Sequence, residues 1–228
     1  MLPKRLQERP LPEEFARKLL VHSTNAKSGS LATGELHEVY SPYFSAPLGH
    51  VGVGSVADVE KAFELARHAQ KQWQERPIAA RARVIKRFHD LVKKHSDLLA
   101  DIVQLETGKD RTAAYDEVLD VMNNARYYAN NAEKFLSTSS KAGAFPVITS
   151  TTQQRVPKGI VGQISPWNYP LALGVSDAIA ALIAGNGIVA KPDWQTPFSN
   201  LIALHLLLNA GLPHNLFQIV TGSGTVVG

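Results

Sequence analysis

Gly159-Ile160-Val161-Gly162-Gln163-Ile164-Ser165-Pro166-Trp167-Asn168-Tyr169-Pro170 opens a stretch in which short apolar runs of β type alternate with helical runs. Ile160 to Ile164 is followed by Leu171 to Ala184, Gly187 to Ala190, Phe198 to Ala210 and Leu216 to Val220. That order, strand and helix in turn, predicts parallel strands with helices on their faces. It is the doubly wound α/β arrangement, which takes its ligands at the carboxyl ends of the strands. Gly185 and Gly211 stand where left-handed helix ends belong, and Pro213 follows the second. The three strands make only part of a sheet.

Three loops leave those strands, and each carries a candidate for chemistry. In Ser165-Pro166-Trp167-Asn168-Tyr169-Pro170 two prolines stiffen the backbone, and an Asn amide on a rigid turn donates to a developing oxyanion without titrating. An ordinary proline-rich turn with Asn as a local cap is the alternative. The second loop, Lys191-Pro192-Asp193-Trp194-Gln195-Thr196-Pro197, begins with a lysine that can reach ribose hydroxyls or phosphate, or simply lie in solvent. The third, Gly222-Ser223-Gly224-Thr225-Val226-Val227-Gly228, has glycines that permit a tight turn and close backbone approach to a phosphate. A plain turn explains it equally well.

Upstream the pattern is helical and charged. Ser55 with Asp58 has the spacing of a capping box, and behind it Val59, Ala62, Phe63, Ala66 and Trp73 share one face, predicting a helix over 56 to 75 that ends before Pro77. Val84, Phe88, Leu91 and Val92 mark a second helix. Leu99, Ile102, Val103 and Glu106, ended by Gly108, mark a third, and a fourth covers 110 to 137. A short helix is expected at 12 to 21, and a loop from Gly29 leads to a strand around Glu38 to Phe44. After Ser137-Thr138-Ser139-Ser140 the stretch Phe145 to Arg155, rich in Val, Ile and Thr, reads as extended chain or a projecting arm. The expected parts are a helical layer at 1 to 141, an arm at 142 to 158 and the βαβαβ part at 159 to 228.

The composition narrows the function classes. The chain has 228 residues, 44% hydrophobic and 19% charged, which suits an ordinary globular protein. The apolar stretch Leu171 to Ala190 is broken by Ser176, Asp177 and Asn186, so no membrane span is expected. Met1-Leu2-Pro3-Lys4-Arg5 turns polar without an apolar core, which argues against a secretory signal and makes the cytoplasm the expected location. The net charge of +4 is spread: most bases and acids lie before residue 142, with both signs mixed, as on solvated helix faces. No nucleic-acid footprint is expected from it. Acid pairs such as Glu13-Glu14 and Asp116-Glu117 are read as solvated. There is no cysteine, hence no disulfide, no thiolate-held zinc and no thiol nucleophile in this segment. H-E-x-x-H, G-x-S-x-G and G-x-x-x-x-G-K-[ST] patterns are absent as well, and no metal is expected.

Taken together, Pro157-Lys158-Gly159-Ile160-Val161-Gly162 leading to Pro166-Trp167-Asn168-Tyr169-Pro170, Gly185-Asn186 before Lys191-Pro192 with Gln195-Thr196-Pro197, and Ala210-Gly211-Leu212-Pro213 before the glycine loop resemble the aldehyde dehydrogenase superfamily. Leu105-Glu106-Thr107-Gly108-Lys109 also fits that family. The resemblance covers roughly residues 35 to 228 and matches the first part of the family's fold: a helical N-terminal layer plus the first half of a Rossmann-like parallel sheet. It implies that Asn168 is the side-chain half of an oxyanion hole. It also implies that Ile164, Ser165, Pro166, Trp167 and Asn168 line the cofactor site, that Lys191 holds the adenosine ribose, with Pro192 and Asp193 beside it, and that Gly224 and Gly228 turn the chain past the adenosine. In the family a cysteine thiolate attacks the aldehyde and a glutamate activates water. Neither lies in these residues, and both belong in the family to sequence that follows. Where NAD-preferring relatives commonly carry a glutamate for the ribose hydroxyls this chain has Trp194, which favours NADP, with NAD second. Alternatively Trp194 packs beside adenine while Asp193 replaces the acid. The resemblance is nearest to bacterial succinate-semialdehyde dehydrogenases, through Val175-Ser176-Asp177 and Lys191-Pro192-Asp193. Other enzymes of that specificity have an arginine where Ser176 stands, so an uncharged aldehyde is a competing substrate. Tyr169, Leu173 and Ser176 are candidates for the mouth of the substrate tunnel, and Leu173 suits core packing equally. The family also implies a homo-oligomer. A non-catalytic nucleotide-binding or assembly module, whose open sheet edge and arm pair with another copy, is the alternative to an enzyme.

Overall fold

A computed structural model describes residues 35–228 except 44, 46, 146 and 147. The helix expected at 12 to 21 and the loop from Gly29 to residue 34 lie outside the described residues. The described chain runs β1 (Leu36–Tyr40), β2 (Pro47–Gly52), α1 (Val56–Gln74), α2 (Ile78–Lys94), α3 (Ser96–Thr107), α4 (Arg111–Leu136), β3 (Ser139–Ala142), β4 (Ser150–Gln153), β5 (Ile160–Ile164), α5 (Pro170–Ile183), β6 (Gly187–Lys191), α6 (Pro197–Asn209), β7 (Phe217–Ile219) and α7 (Gly224–Val227).

β5, β6 and β7 form one parallel sheet in that order. β6 lies between the other two, and its alternating side chains serve both faces, as the two-residue period of a strand requires. Val189 packs with Ala62 and Ala66 of α1 on one face, while Ile188 and Ala190 join the larger core on the other. Two alanines in the contact stripe let α1 lie close to the strands. On the second face α5 and α6 pack side by side, and Gly174 allows their approach: a Cβ there would meet the Asn200 side chain at 2.3 Å. The helices α2, α3 and α4 pack behind α5 and α6, burying Phe88, Leu99, Ile102 and Val121.

The local signals act as expected. Ser55 Oγ accepts from the Asp58 amide at 3.3 Å and the Asp58 carboxylate accepts from the Ser55 amide at 2.8 Å, completing the capping box of α1. Both crossover helices begin with proline, at Pro170 and Pro197. Both end alike: after α5, Asn186 N donates to Ala181 O and Gly185 has φ 96°; after α6, Leu212 N donates to Leu207 O and Gly211 has φ 98°. These are the six-to-one bonds that close a helix through a left-handed residue.

Two features differ from the sequence reading. The expected strand at Glu38 to Phe44 is earlier, at Leu36–Tyr40, and pairs antiparallel with β2, which sequence patterning does not indicate. The acid pair Asp116-Glu117 is not a uniformly solvated face. Asp116 is exposed, but the Glu117 side chain is wholly buried, because adjacent helical residues point about 100° apart. β3 and β4 form a separate antiparallel hairpin with largely exposed residues.

Candidate active site at the strand ends

The carboxyl ends of β5, β6 and β7 open on a cavity of about 270 Å³ bounded by Phe63, Ile164, Lys191, Val220, Val227 and Gly228, among others. Val59 and Phe63 of α1 form a wall that the sequence reading assigned only to core packing; their place at the end of the helix nearest the strand ends puts them there. Ile164 is 70% exposed and Trp167 54% exposed. Both therefore present apolar surface beside the mouth of this groove. Ser165 and Pro192 are buried, so what they can offer this groove is main chain. The Ser165 amide is already engaged, donating to Lys191 O at 3.1 Å.

A nucleotide fits this groove by its chemistry. Its lining is mostly apolar, suited to an aromatic base, and the partly buried Lys191 stands at its edge. The Lys191 ammonium donates to the neighbouring Pro192 carbonyl at 3.2 Å, leaving further N–H donors for a hydroxyl or phosphate. Gly224 faces open space, with nothing within 4 Å of a Cβ added there, whereas a Cβ on Gly228 would strike Gly224 O at 2.3 Å. Main chain is thus accessible at Gly224. Trp194 stacks on His37, ring centroids 3.6 Å apart, and burial lowers the His37 pKa from its ordinary value. The Asp193 carboxylate accepts from the Gln195 amide at 2.9 Å within its own turn.

Asn168 is exposed in the turn between β5 and α5, with Pro166, Trp167 and Tyr169 exposed around it. Tyr169, Leu173 and Ser176 follow at helical spacing along α5. Tyr169 and Leu173 are exposed, so Leu173 is not a core residue here. Ser176 Oγ donates to Asp120 at 2.7 Å.

Beneath this surface lies a polar layer that sequence reasoning left without a role. Glu117 of α4 accepts from the Leu171 and Ala172 amides at 2.9 and 3.0 Å. Glu106 of α3 accepts from the Phe198 and Ser199 amides at 2.5 and 2.9 Å and from Ser199 Oγ at 2.5 Å. Each acid therefore caps one crossover helix, its oxygens accepting from orphan N–H groups of the first turn. Burial pushes the Glu106 carboxyl up to about 8, against the pull of Ser199 and the Phe198 amide and with the help of the Glu117 charge. The Lys109 ammonium pairs with Glu117, donates to Asn168 O at 2.7 Å and lies 4.2 Å from the Tyr169 ring centroid. The periodicity could have found both acids: Glu106 is in phase with Leu99, Ile102 and Val103, and Glu117 with Ala114 and Val121. Among the described residues, no group of three or more His, Asp or Glu converges to hold a metal, and no helix is long and apolar enough to cross a membrane.

Comparison with known proteins shows the family. The pattern of the aldehyde dehydrogenase family matches residues 30–228. A Mycolicibacterium smegmatis protein bearing the name succinate-semialdehyde dehydrogenase (NADP+) is 52% identical over 178 residues, 78% of this chain and 34% of that protein. The phenylacetaldehyde dehydrogenase of Pseudomonas fluorescens is 36% identical over 83% of this chain and 39% of its own length. A solved succinate-semialdehyde dehydrogenase of Burkholderia pseudomallei superposes with TM-score 0.81 at 28% identity, over 86% of this chain and 40% of that one. An NADP-dependent enzyme of E. coli gives 0.82 at 30% identity over the same shares. The chain thus spans between a third and two fifths of the length of these relatives. It has their mixed helix and sheet architecture and their sequence pattern, and it belongs to the aldehyde dehydrogenase family.

Proposed function

We propose that these residues supply the oxyanion donor and the first part of the cofactor groove of an enzyme that oxidises succinate semialdehyde to the acid with NADP+, NAD+ being second. The observation that carries this reading is Asn168, exposed on a proline-flanked turn at the carboxyl end of β5. Its amide donates to the aldehyde oxygen as negative charge develops there. Ile164, Pro166 and Trp167 form the apolar rim toward the nucleotide, and Ser165 and Pro192 hold the main chain of that rim. Lys191 donates to ribose, and Gly224 and Gly228 let the backbone pass close to the adenosine part. The nucleotide, when bound, supplies a hydride acceptor. Cysteine is absent from the 228 residues, so the nucleophile of the family mechanism is assigned to none of them, and the proposal concerns the complete polypeptide that carries this segment.

The NADP preference rests on two supports. Trp194 gives no carboxylate to repel a 2′-phosphate, and Asp193 is occupied in its own turn. The 52% identical relative also has NADP+ in its name. A homo-oligomer is proposed for the complete protein, through the arm at 142 to 158, where Ile148 and Val156 are exposed; the division at 141 and 158 is part of that proposal. One observation favours a second substrate reading. The Asp120 carboxylate of α4, bonded to Ser176, stands beside the α5 stripe proposed for the tunnel mouth, and its charge disfavours an anionic aldehyde. Steady-state rates with succinate semialdehyde and an uncharged aldehyde of equal length separate the two. Replacing Asn168 by Ala is expected to lower turnover by about a hundredfold or more, measured as kcat at saturating nucleotide. An unchanged kcat removes Asn168 from the mechanism.

A further inference from the structure

We infer that Lys109, held by Glu117, is the positioning residue for Asn168. The inference rests on the proposed role of Asn168 and adds what fixes that residue in place.

Asn168 lies in a turn whose side chains from Pro166 to Tyr169 are all exposed, so packing alone does little to hold it. Among the described residues, the hydrogen bond made to Asn168 comes from Lys109 Nζ, at 2.7 Å to the backbone carbonyl. The same ammonium pairs with Glu117 and faces the Tyr169 ring at 4.2 Å. Its charge is therefore met on three sides. Glu117 has no exposed side chain, and its second oxygen takes the Leu171 and Ala172 amides. One carboxylate thus ties the ammonium that holds residue 168 to the first turn of α5, on the far side of Pro170.

Lys109 itself springs from a rigid corner. Gly108 ends α3 at φ 75° with a Cβ position only 3.2 Å from the Pro42 side chain, so a side chain there would be strained as well as crowded. Tyr43 Oη donates to Gly108 O at 2.7 Å, and Gln104 Nε2 to Lys109 O at 3.3 Å. The bond to its carbonyl restrains the Asn168 backbone, leaving side-chain torsions as the main freedom of its amide. A catalytic donor must stay within roughly 0.5 Å of its working position, and a displacement of about 1 Å can cost about a hundredfold. Lys109 needs no contact with substrate to control the rate.

The test uses the complete polypeptide with Lys109→Met, Lys109→Arg, Glu117→Gln and the Lys109→Met/Glu117→Gln pair. Lys109→Met is expected to lower kcat about tenfold or more while KM for the nucleotide stays within about twofold. Hydrogen–deuterium exchange of the 165–172 segment should rise, with that of β6 and α6 unchanged. Lys109→Arg, which can still bridge a carboxylate and a carbonyl, should restore most of kcat. The pair should be no worse than the poorer single change, because both act through one strap. A Lys109→Met enzyme with wild-type kcat and wild-type exchange overturns the inference. So does loss of protection throughout β5 to α6 without rescue by Arg, which marks a folding role. If the wild-type protein oxidises no aldehyde, the proposed function fails while exchange at 165–172 still decides whether Lys109 holds the turn.

Discussion

Glu106 and Glu117 show how much one residue's position on a helix can decide. Both stand on apolar stripes, both are buried, and both face the first amides of a crossover helix rather than a cationic side chain alone. The sequence places Glu106 in phase with an apolar face, yet reads Glu117 with Asp116 as solvated. The difference lies in the partner: an acid on an apolar stripe is tolerated when a helix start from elsewhere in the chain meets it, and such a partner has no local sequence signature. The places of Asn168 and Lys191 in the fold were legible because the first lies in the turn after β5 and the second ends β6; their roles belong to the proposal. Lys109 was legible only as part of a familiar pentapeptide, since its partners lie 8 and 59 residues away. Glu106 also makes stability depend on pH. Its folded pKa of about 8 lies above the ordinary value of 4.5, so the native state keeps a proton that the unfolded chain releases. The stabilisation is whole below the unfolded pKa and is lost as pH rises through the folded one. Urea midpoints should therefore fall between about pH 5 and pH 8, and Glu106→Gln, which keeps an acceptor without the titration, should flatten that fall. An equal slope in the variant would show that other groups carry it.

At the scale of elements, the helical layer does more than cover the sheet. The carboxyl ends of α5 and α6 receive donors from it, as their starts receive acids. Trp73 Nε1 donates to Leu182 O at 2.7 Å, Arg81 Nε to Ile183 O at 2.8 Å and Gln70 Nε2 to Gly185 O at 2.9 Å. Arg87 Nε donates to Ala210 O at 2.7 Å. Acceptors at the starts and guanidinium donors at the ends satisfy the open backbone groups of both helices, and the guanidinium charges suit the dipoles at their ends. The βαβαβ unit was legible because its apolar runs switch between strand and helix length with glycine or proline at each junction. β2 was not: Pro47-Leu48-Gly49-His50-Val51-Gly52 contains two glycines and a proline, poor strand formers, and it becomes a strand by pairing with β1. The capping donors were hidden for the same reason, since arginines on a charged helix look solvated until the helix they cap is in place. Trp73→Phe keeps most of the buried ring but strips the Leu182 carbonyl of its donor, and it is expected to cost about 1–3 kcal/mol. Denaturant unfolding at fixed slope measures this. A change below about 0.5 kcal/mol would mean that another donor takes over that carbonyl.

At the scale of the whole molecule, the sheet is covered on both faces and open at its carboxyl ends, so a nucleotide that binds the native groove should raise the stability of the chain. Linkage sets the size: at a free concentration about 100 times the dissociation constant, binding adds about 2.7 kcal/mol. For a chain of this length that corresponds to a rise of roughly 5–10 °C in the unfolding midpoint. NADP+ should give the larger rise and NAD+ the smaller at equal concentration. Trp194→Glu should narrow or reverse the order by setting a carboxylate against the 2′-phosphate. The change also removes the stack on His37, so the variant's own midpoint without nucleotide is the reference for its shifts. A rise with both nucleotides that is indifferent to Trp194→Glu would keep the groove as a nucleotide site and move the origin of NADP preference elsewhere. No rise at nucleotide concentrations that saturate the complete protein would mean that the groove at β5 to β7 needs further surfaces to bind, and that the apolar rim of Ile164 and Trp167 must be covered before the ligand is held.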